Sequence, residues 1–233
     1  MGNLYIVFGR EFCFAFCMNA NVYFYDREDA GGRLAERLMQ FKSESLIVLA
    51  LPRGGIVLGA EVSGKLNCPL DLIIPRKIGH PGNPEYAIAA VTESGALVAN
   101  ESEIASVDTE WFEREKAVQI AEAKRRRKVY LKGRKQVNLR GKTIIIIDDG
   151  IATGLTMKAA ISEVKAKNPV KIIVAVPVAP ADIYKQIKDE VDDFVVVDAP
   201  EYYLGSVGAY YKNFPQVTDE EVIEIIQNLE SSI

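Results

Sequence analysis

The sequence is poor in the residues on which several classes of protein depend. It has one histidine and three cysteines in 233 residues, and the cysteines form no CxxC pair. We therefore expect neither a disulfide scaffold nor a zinc site, and the cysteine usage predicts a reducing, cytoplasmic setting. No stretch reaches the roughly 18 uninterrupted apolar residues that a membrane-spanning helix needs. We accordingly expect no membrane contact.

The sequence also lacks an excess of positive charge. Its 28 lysines and arginines are outnumbered by 32 aspartates and glutamates, which gives a formal net charge of −4. A nucleic-acid partner is therefore not predicted. The basic run at residues 124–128 lies among glutamates and is interpreted as a solvated helix face. An anionic substrate would need local cations or a metal ion.

The first 24 residues are aromatic and apolar, but Arg10 and Glu11 divide them, and they show no clear small-residue cleavage site. Three interpretations of residues 1–24 stay open: a peripheral strand pair, a dimer contact, or an N-terminal extension ahead of a natural start at Met18. Residues 25–233 suit one domain with some elaboration, large enough for a sizeable core.

The most informative stretch is residues 142–156, KTIIIIDDGIATGLT. Its four consecutive isoleucines show no polar alternation, which predicts a parallel strand buried on both faces of an α/β sheet. Asp148 and Asp149 follow at the carboxyl end of that strand, where open α/β sheets bind their ligands. The next loop has two glycines and two threonines and leads into a helical pattern. Backbone N–H groups suit a phosphate there, and the carboxylates suit sugar hydroxyls.

Two other strand ends carry features of an anion site. Arg53, Gly54 and Gly55 follow a buried run at 46–51, and Arg76 and Lys77 follow a strand at 70–74. Glycine lets the backbone approach a ligand closely, and arginine adds a permanently charged donor. Residues 78–86 are rich in proline and glycine, which predicts a mobile loop suited to act as a lid. His80 lies in this loop and is interpreted as a solvated residue rather than a catalytic one.

The remaining pattern alternates helices and strands, so the predicted fold class is α/β, with a mostly parallel twisted sheet flanked by helices. The expected helices are 30–41 with Asp26 as N-cap, 56–66, a long helix from Asp108 to about 130, 180–189, and a last helix to 229 that begins with a Thr218/Glu221 capping box. The expected further strands are a hairpin of 87–93 with 96–100, then 171–178 and 194–197.

Residues 142–156 resemble the phosphoribosyl diphosphate (PRPP) signature of type I phosphoribosyltransferases, in which hydrophobic residues precede an acidic pair and a Thr/Gly loop. In motif order the resemblance extends from residue 46 to about residue 200. PRGG resembles the diphosphate loop of the family, and Arg76-Lys77 resembles the base of its mobile loop. The segments ALPRGG, RKIG and SVGAYYKNFPQVTDEEV are similar to a less characterised branch of the family.

The resemblance implies transfer of the 5-phosphoribosyl group from PRPP to a nitrogenous base, purine-like rather than pyrimidine, with release of diphosphate. It also implies a homodimer, Mg²⁺ as cofactor, and a small hood built from N- and C-terminal parts. The implied catalytic residues are Asp148, Asp149, Arg76 and Lys77, with both aspartates also as metal contacts. The implied substrate-binding residues are Arg53, Gly54, Gly55, Gly150, Ile151, Ala152, Thr153, Gly154, Leu155 and Thr156. The tail aromatics suited to stacking on a base are Tyr202, Tyr203, Tyr210, Tyr211 and Phe214. Tyrosine pairs are also common in protein cores, so both interpretations of these residues stay open.

One position departs from a branch of the family. Hypoxanthine-guanine enzymes have an acid immediately before the Thr-Gly of the loop, whereas this sequence has Ala152. A 6-oxopurine acceptor is therefore less strongly implied. The alternative function is a non-catalytic regulatory protein of the same fold that senses PRPP or a nucleotide. The diphosphate loop and the basic residues favour an enzyme, and the sequence shows no helix-turn-helix module. A diphosphokinase that makes PRPP is disfavoured because no ATP-binding segment is evident.

Overall fold

The computed structural model describes residues 24–230. In chain order its elements are α1 (Arg27–Leu38), β1 (Leu46–Ala50), α2 (Gly55–Leu66), β2 (Leu70–Leu72), β3 (Arg76–His80), β4 (Asn83–Val91), β5 (Leu97–Ala99), α3 (Glu101–Ile104), α4 (Thr109–Tyr130), β6 (Thr143–Ile147), α5 (Leu155–Lys165), β7 (Lys171–Val178), α6 (Ala181–Lys188), β8 (Asp193–Asp198) and α7 (Asp219–Glu230). Short 3₁₀ turns occupy Met39–Phe41 and Val207–Tyr210. The predicted α/β class is confirmed.

A five-stranded parallel sheet with strand order β2-β1-β6-β7-β8 forms the centre of the fold. After β1 the chain adds β2 on one side of it. The later strands β6, β7 and β8 are added one after another on the other side of β1. The order reverses between β1 and β6, which pair in register from Leu46 opposite Thr143 to Ala50 opposite Ile147. Loops that leave two such strands diverge and open a crevice at their carboxyl ends, where ligands of doubly wound sheets bind.

The isoleucine run of β6 contributes to both layers of the core. Ile145 and Ile147 pack with the α1 and α2 side chains, whereas Ile144 and Ile146 pack with α5. All four side chains are fully buried. Burial of one such side chain stabilises the fold by about 1.5–3 kcal/mol relative to its exposure. Because both faces are covered, the strand is apolar from Ile144 to Ile147, and Asp148 follows directly after it.

A separate three-stranded antiparallel sheet, β3-β4-β5, follows β2. The predicted hairpin between β4 and β5 is confirmed, but the prediction of a loop over residues 78–86 is wrong. Those residues form most of a second hairpin, β3 with β4, which turns at Pro81-Gly82. Its register shifts at Gly79, where an added Cβ would lie 2.1 Å from the Pro84 carbonyl oxygen. An irregular hairpin with glycine at the bulge accommodates the breakers that indicated a loop.

The helix signals give elements close to those expected. The Asp26 carboxylate caps α1 by accepting from Asp29 N at 2.9 Å, and the Asp108 carboxylate caps α4 by accepting from Trp111 N at 2.7 Å. The Thr218/Glu221 capping box is also formed. No helix within residues 24–230 is long and apolar enough to cross a membrane. The predicted extension at 1–24 lies, except for Phe24, outside the described residues.

The basic run on α4 is paired within the protein. Arg125 and Arg126 both contact Glu122, at 2.7 and 2.8 Å. The Arg127 side chain is only 13% exposed and bonds Asp71 at 3.1 Å and Glu93 at 3.2 Å. The prediction that the whole run forms a solvated face is therefore wrong for Arg127. Three of the five cations in the run therefore form ion pairs within the protein.

Candidate functional site

A cleft of about 800 Å³ opens at the carboxyl ends of β1 and β6, at the reversal of strand order. One side consists of the loops that follow these strands, and the other consists of the β3–β4 hairpin and one face of α4. The cleft brings together most of the predicted site residues: Arg53, Gly54, Arg76, Lys77, Asp148, Asp149, Gly150, Ile151, Ala152, Thr153, Gly154 and Thr156. Gly55 and Leu155 were also predicted to bind substrate, but they do not line it.

Asp148 and Asp149 are partly buried at the floor of the cleft. Burial raises the pKa of Asp148 well above its usual value, and the neighbouring Asp149 charge raises it further. Burial also raises the pKa of Asp149, but the nearby Arg27 guanidinium opposes that rise. Asp148 Oδ1 accepts a hydrogen bond from Asp149 N at 2.9 Å. Two desolvated carboxyl groups side by side readily accept hydrogen bonds or contact a cation.

Arg27 is a component of the site that sequence reasoning missed. Its Nε donates to Asp149 Oδ2 at 2.9 Å, and its Nη1 donates to the Pro215 carbonyl oxygen at 2.7 Å. The guanidinium carbon lies 3.8 Å from the centre of the Phe214 ring. Below these groups, the Tyr211 hydroxyl donates to the Asp149 carbonyl oxygen at 2.6 Å. Asp149 is therefore held through both its side chain and its main chain.

The two glycines after β1 provide space for the acids. An added Cβ on Gly54 would lie 1.8 Å from Asp149 Oδ2, and one on Gly55 would lie 2.9 Å from the Ile147 carbonyl oxygen. Gly54 has φ −61° and ψ −40°, a conformation open to any residue, so it is space that requires glycine there. The peptide bond between Pro52 and Arg53 is cis. Because Gly55 packs closely against the main chain at Ile147 and does not line the cleft, it provides space behind the acids rather than part of the cleft wall.

The loop from Gly150 to Thr156 leads directly into α5. Gly150 has φ +152° and Gly154 has φ +80°, and Gly154 is the N-cap of α5 without a side-chain cap. The first-turn N–H groups of a helix have no intrahelical acceptor, and the helix dipole is positive at that end. Ala152 and Thr153 are exposed on the cleft, and Thr156 also lines it. This arrangement suits a phosphate group.

Three cations line the cleft and together form its cationic side: Arg53 in the loop after β1, and Arg76 and Lys77 at the start of β3. Arg53 Nη1 lies 3.6 Å from Asp219 Oδ1, and Arg76 Nε donates to Gln119 Oε1 at 3.1 Å. Lys77 is exposed, and its charge opposes the rise of the Asp148 pKa. Burial lowers the pKa of Arg76, but an arginine stays charged at neutral pH. The cleft therefore has a cationic side and an acidic floor.

A sequence profile described as the phosphoribosyl transferase domain matches residues 25–209. The chain belongs to this family. Two provisionally named phosphoribosyl transferases from two strains of Mycobacterium tuberculosis are 38% identical over 205 residues, which is 87% of this chain and 46% of theirs. The chain thus spans about half the length of these curated relatives. The crystal structure of TT1426 from Thermus thermophilus is 39% identical with a TM-score of 0.75, and the match covers 88% of this chain and 98% of that one.

In this phosphoribosyl transferase domain, α4 forms a wall of the cleft that the sequence did not reveal. Trp111, Glu115 and Gln119 recur every four residues on one helix face and all line the cleft. Gln119 donates to Glu115 Oε1 at 2.7 Å and accepts from Arg76, so the wall also orients a cation. The helix itself was predicted, but only the tertiary packing defines which face meets the cleft.

The aromatic residues of the C-terminal tail do not line the cleft of the phosphoribosyl transferase domain, contrary to the expectation that they offer stacking faces. Tyr210 and Tyr211 are buried, Tyr203 stacks on Tyr210, and Phe214 supports Arg27. Tyr202 is 89% exposed. Among the described residues of this tail, up to residue 230, only Val207 reaches the cleft, where it covers Gly150. Tyr210, Tyr211 and Phe214 therefore pack behind the acids and Arg27, where Phe24 pairs with Tyr211.

Proposed function

We propose that this domain transfers the 5-phosphoribosyl group from PRPP to a nitrogenous base and releases diphosphate. One observation carries the proposal: an acid pair, a phosphate-suited helix N-terminus and three cations lie around a single cleft of about 800 Å³. A sugar with a phosphate at one end and a diphosphate at the other presents anions at both ends and hydroxyls between them. The cleft offers complementary groups for each of these parts.

The proposed division of PRPP among the residues follows their chemistry. Backbone amides of residues 150–156, with the Thr153 and Thr156 hydroxyls, bind the 5′-phosphate. Asp148 and Asp149 accept hydrogen bonds from the ribose hydroxyls. The diphosphate lies toward the cationic side, where the Gly54 backbone and the cations Arg53, Arg76 and Lys77 meet it. Each part of the substrate is thus held by a group of opposite or complementary polarity.

In the proposed reaction, the bond between C1 and the diphosphate oxygen breaks, and the acceptor nitrogen forms the new bond to C1. Diphosphate leaves with the bonding electron pair, and the proton on the acceptor nitrogen is released. Positive charge grows on the ribose and negative charge grows on the leaving group. The acid floor stabilises the first charge and the cationic side stabilises the second, so positioning and electrostatics supply most of the rate.

Mg²⁺ is the proposed cofactor. Asp148 and Asp149 are oxygen donors of the kind that Mg²⁺ prefers, and such sites commonly combine one or two carboxylates with substrate phosphates. Within residues 24–230, no three histidine, cysteine or acidic side chains are grouped to hold a metal unaided. This fits a metal ion that enters with the substrate. When bound, it would neutralise negative charge on the diphosphate.

We further propose a purine-like acceptor, a cytoplasmic setting, a homodimer, and a single domain over residues 25–233 preceded by an N-terminal extension. The cysteine usage supports the compartment, and the family resemblance supports the acceptor and the dimer. Light scattering of the full chain in solution measures the oligomeric state. A monomer at micromolar concentration would contradict that part of the proposal.

The test of the function is incubation of the full chain with PRPP, Mg²⁺ and a panel of purine and pyrimidine bases, with released diphosphate as the readout. We expect release with at least one purine-like base. Binding of PRPP without release for any base would favour the sensor over the enzyme. If calorimetry detects no binding of PRPP with Mg²⁺, both the proposed enzyme and the alternative PRPP sensor are ruled out.

Asp149→Asn should lower turnover by about tenfold or more, the scale expected when one preorganised electrostatic contact is lost. Diphosphate release under saturating PRPP measures the effect. Asp182→Asn, at an exposed position on α6, is the matched control and should retain wild-type turnover. Unchanged activity of Asp149→Asn would remove this residue from the proposed mechanism.

A further inference from the structure

Arg27 occupies an unusual position for a residue in the first turn of an amphipathic helix. It is only 7% exposed, although it is the first residue of α1. Its guanidinium lies between three neighbours that come from distant parts of the chain: the Asp149 carboxylate, the Pro215 carbonyl and the Phe214 ring. A buried cation is costly unless each of its donors has a partner. The contacts therefore indicate a specific role for this side chain.

The contacts of Arg27 require an arginine rather than a generic positive charge. One nitrogen meets the carboxylate at 2.9 Å and another meets a main-chain oxygen at 2.7 Å, while the flat face lies over an aromatic ring. A planar fork with separate donors can satisfy all three at once. A lysine ammonium keeps the charge but has neither the fork nor a face that stacks.

The bond from Arg27 fixes the rotation of the Asp149 carboxylate. Arg27 contacts Oδ2 alone, so the other carboxylate oxygen is not committed to the guanidinium. The absence of a side chain on Gly54 leaves room for this arrangement, since an added Cβ would lie 3.0 Å from Arg27 Nε. The Tyr211 hydroxyl fixes the main chain of the same residue at 2.6 Å. Asp149 is thus preorganised before any ligand arrives.

We propose that Arg27 is a positioning residue, which holds Asp149 so that the carboxylate oxygen not bonded to Arg27 accepts a hydrogen bond from a hydroxyl of the bound sugar. The inference rests on the proposed function, because it assumes that the acid pair meets the ribose. It goes further than the proposed function because it names a residue that sets the preference of the site for a sugar with adjacent hydroxyls. That residue, Arg27, lies outside every recognised motif. Arg27 acts through Asp149 and does not itself contact the substrate.

The experiment compares two ligands that differ by one hydroxyl, ribose 5-phosphate and 2-deoxyribose 5-phosphate, by calorimetry on the full chain. We expect the wild type to bind ribose 5-phosphate more tightly. In Arg27→Met, the ratio of the affinity for ribose 5-phosphate to that for 2-deoxyribose 5-phosphate should fall by about tenfold, the value of one hydrogen bond to a charged group. Its affinity for 2-deoxyribose 5-phosphate should change by less than about threefold, because the phosphate contacts remain. Arg27→Lys should restore part of the preference.

Arg33→Met is the matched control. Arg33 lies on the same helix and forms an ion pair with Asp29 at 2.9 Å, but its side chain is 44% exposed, and it does not line the cleft. It should leave the affinities for both sugars unchanged. If Arg27→Met does not fold, as judged by circular dichroism, Arg27→Lys decides in the same assay. It must then show a preference clearly below that of the wild type.

Two results would overturn the inference while leaving the proposed function intact. An Arg27→Met protein that keeps the wild-type preference would show that Asp149 needs no positioning by this residue. Equal weakening toward both sugars would show a general structural role instead. A wild type that binds both sugars equally would overturn the assignment of the acid pair itself, and the inference with it.

Discussion

Gly54→Ala offers a direct test of the position of Asp149. The added Cβ would lie 1.8 Å from Asp149 Oδ2, whereas ordinary van der Waals contact begins at 3.4 Å, so the carboxylate must shift by about 1.6 Å. The backbone at Gly54 is in the right-handed helical region, where alanine is relaxed, so the effect is steric alone. Misplacement of a reacting group by about 1 Å can cost about 10²-fold in rate. We expect a loss of turnover of that order.

The assay has two readouts on Gly54→Ala: the affinity for PRPP with Mg²⁺ by calorimetry, and diphosphate release with the best acceptor base. Gly32→Ala is the control, since an added Cβ there meets nothing within 4 Å. It should retain wild-type activity and stabilise α1 by about 0.5–1 kcal/mol. If folded Gly54→Ala binds and turns over PRPP like the wild type, the carboxylate does not need the position described here.

Two further predictions concern residues outside the cleft. Glu163 is 2% exposed and both of its carboxylate oxygens lack a hydrogen-bond partner, so Glu163→Met should raise the free energy of unfolding by about 1–2 kcal/mol. A higher urea midpoint with an unchanged slope would confirm this, and a lower midpoint would contradict it. Burial raises the pKa of Cys68 from 9.0 to about 11, so the thiol is protonated and slow to react at neutral pH. Maleimide labelling of Cys68, followed by peptide mass spectrometry, should still rise about tenfold between pH 9 and pH 10, because a thiol of pKa about 11 is little ionised there. A labelling rate that levels off by about pH 10 would refute the shift.

The sequence predicted those parts of the site that follow from a strand and its end. A β-branched run without alternation requires cover on both faces, and β6 is covered on both. Because parallel strands end at the same edge, Asp149 and Gly54 come together although they lie in motifs far apart in the chain. The apolar strand pattern, together with the rule that parallel strands end at one edge of the sheet, was sufficient to predict that Asp149 and Gly54 meet.

The missed parts depend on tertiary contacts that leave no local signal. Arg27 bonds a partner 122 positions away, and in sequence it resembles any first-turn residue of an amphipathic helix. The cleft face of α4, with Trp111 and Gln119, could not be chosen because several faces of that helix carry charge. In the β3–β4 hairpin, proline and glycine indicated a loop, but pairing with a bulge at Gly79 overrode that local tendency.

The pairing of residues 24–25 with residues 210–213 has a consequence for the order in which the protein matures. Phe24 donates to the Tyr210 carbonyl oxygen and accepts from Lys212 N, both at 2.8 Å, directly beside the contacts that hold Asp149. During synthesis, the motif at 142–156 leaves the ribosome well before residue 215 does. A nascent chain can therefore pair β1, β2 and β6 early, but it cannot complete the surroundings of its second acid until nearly the whole described chain has emerged.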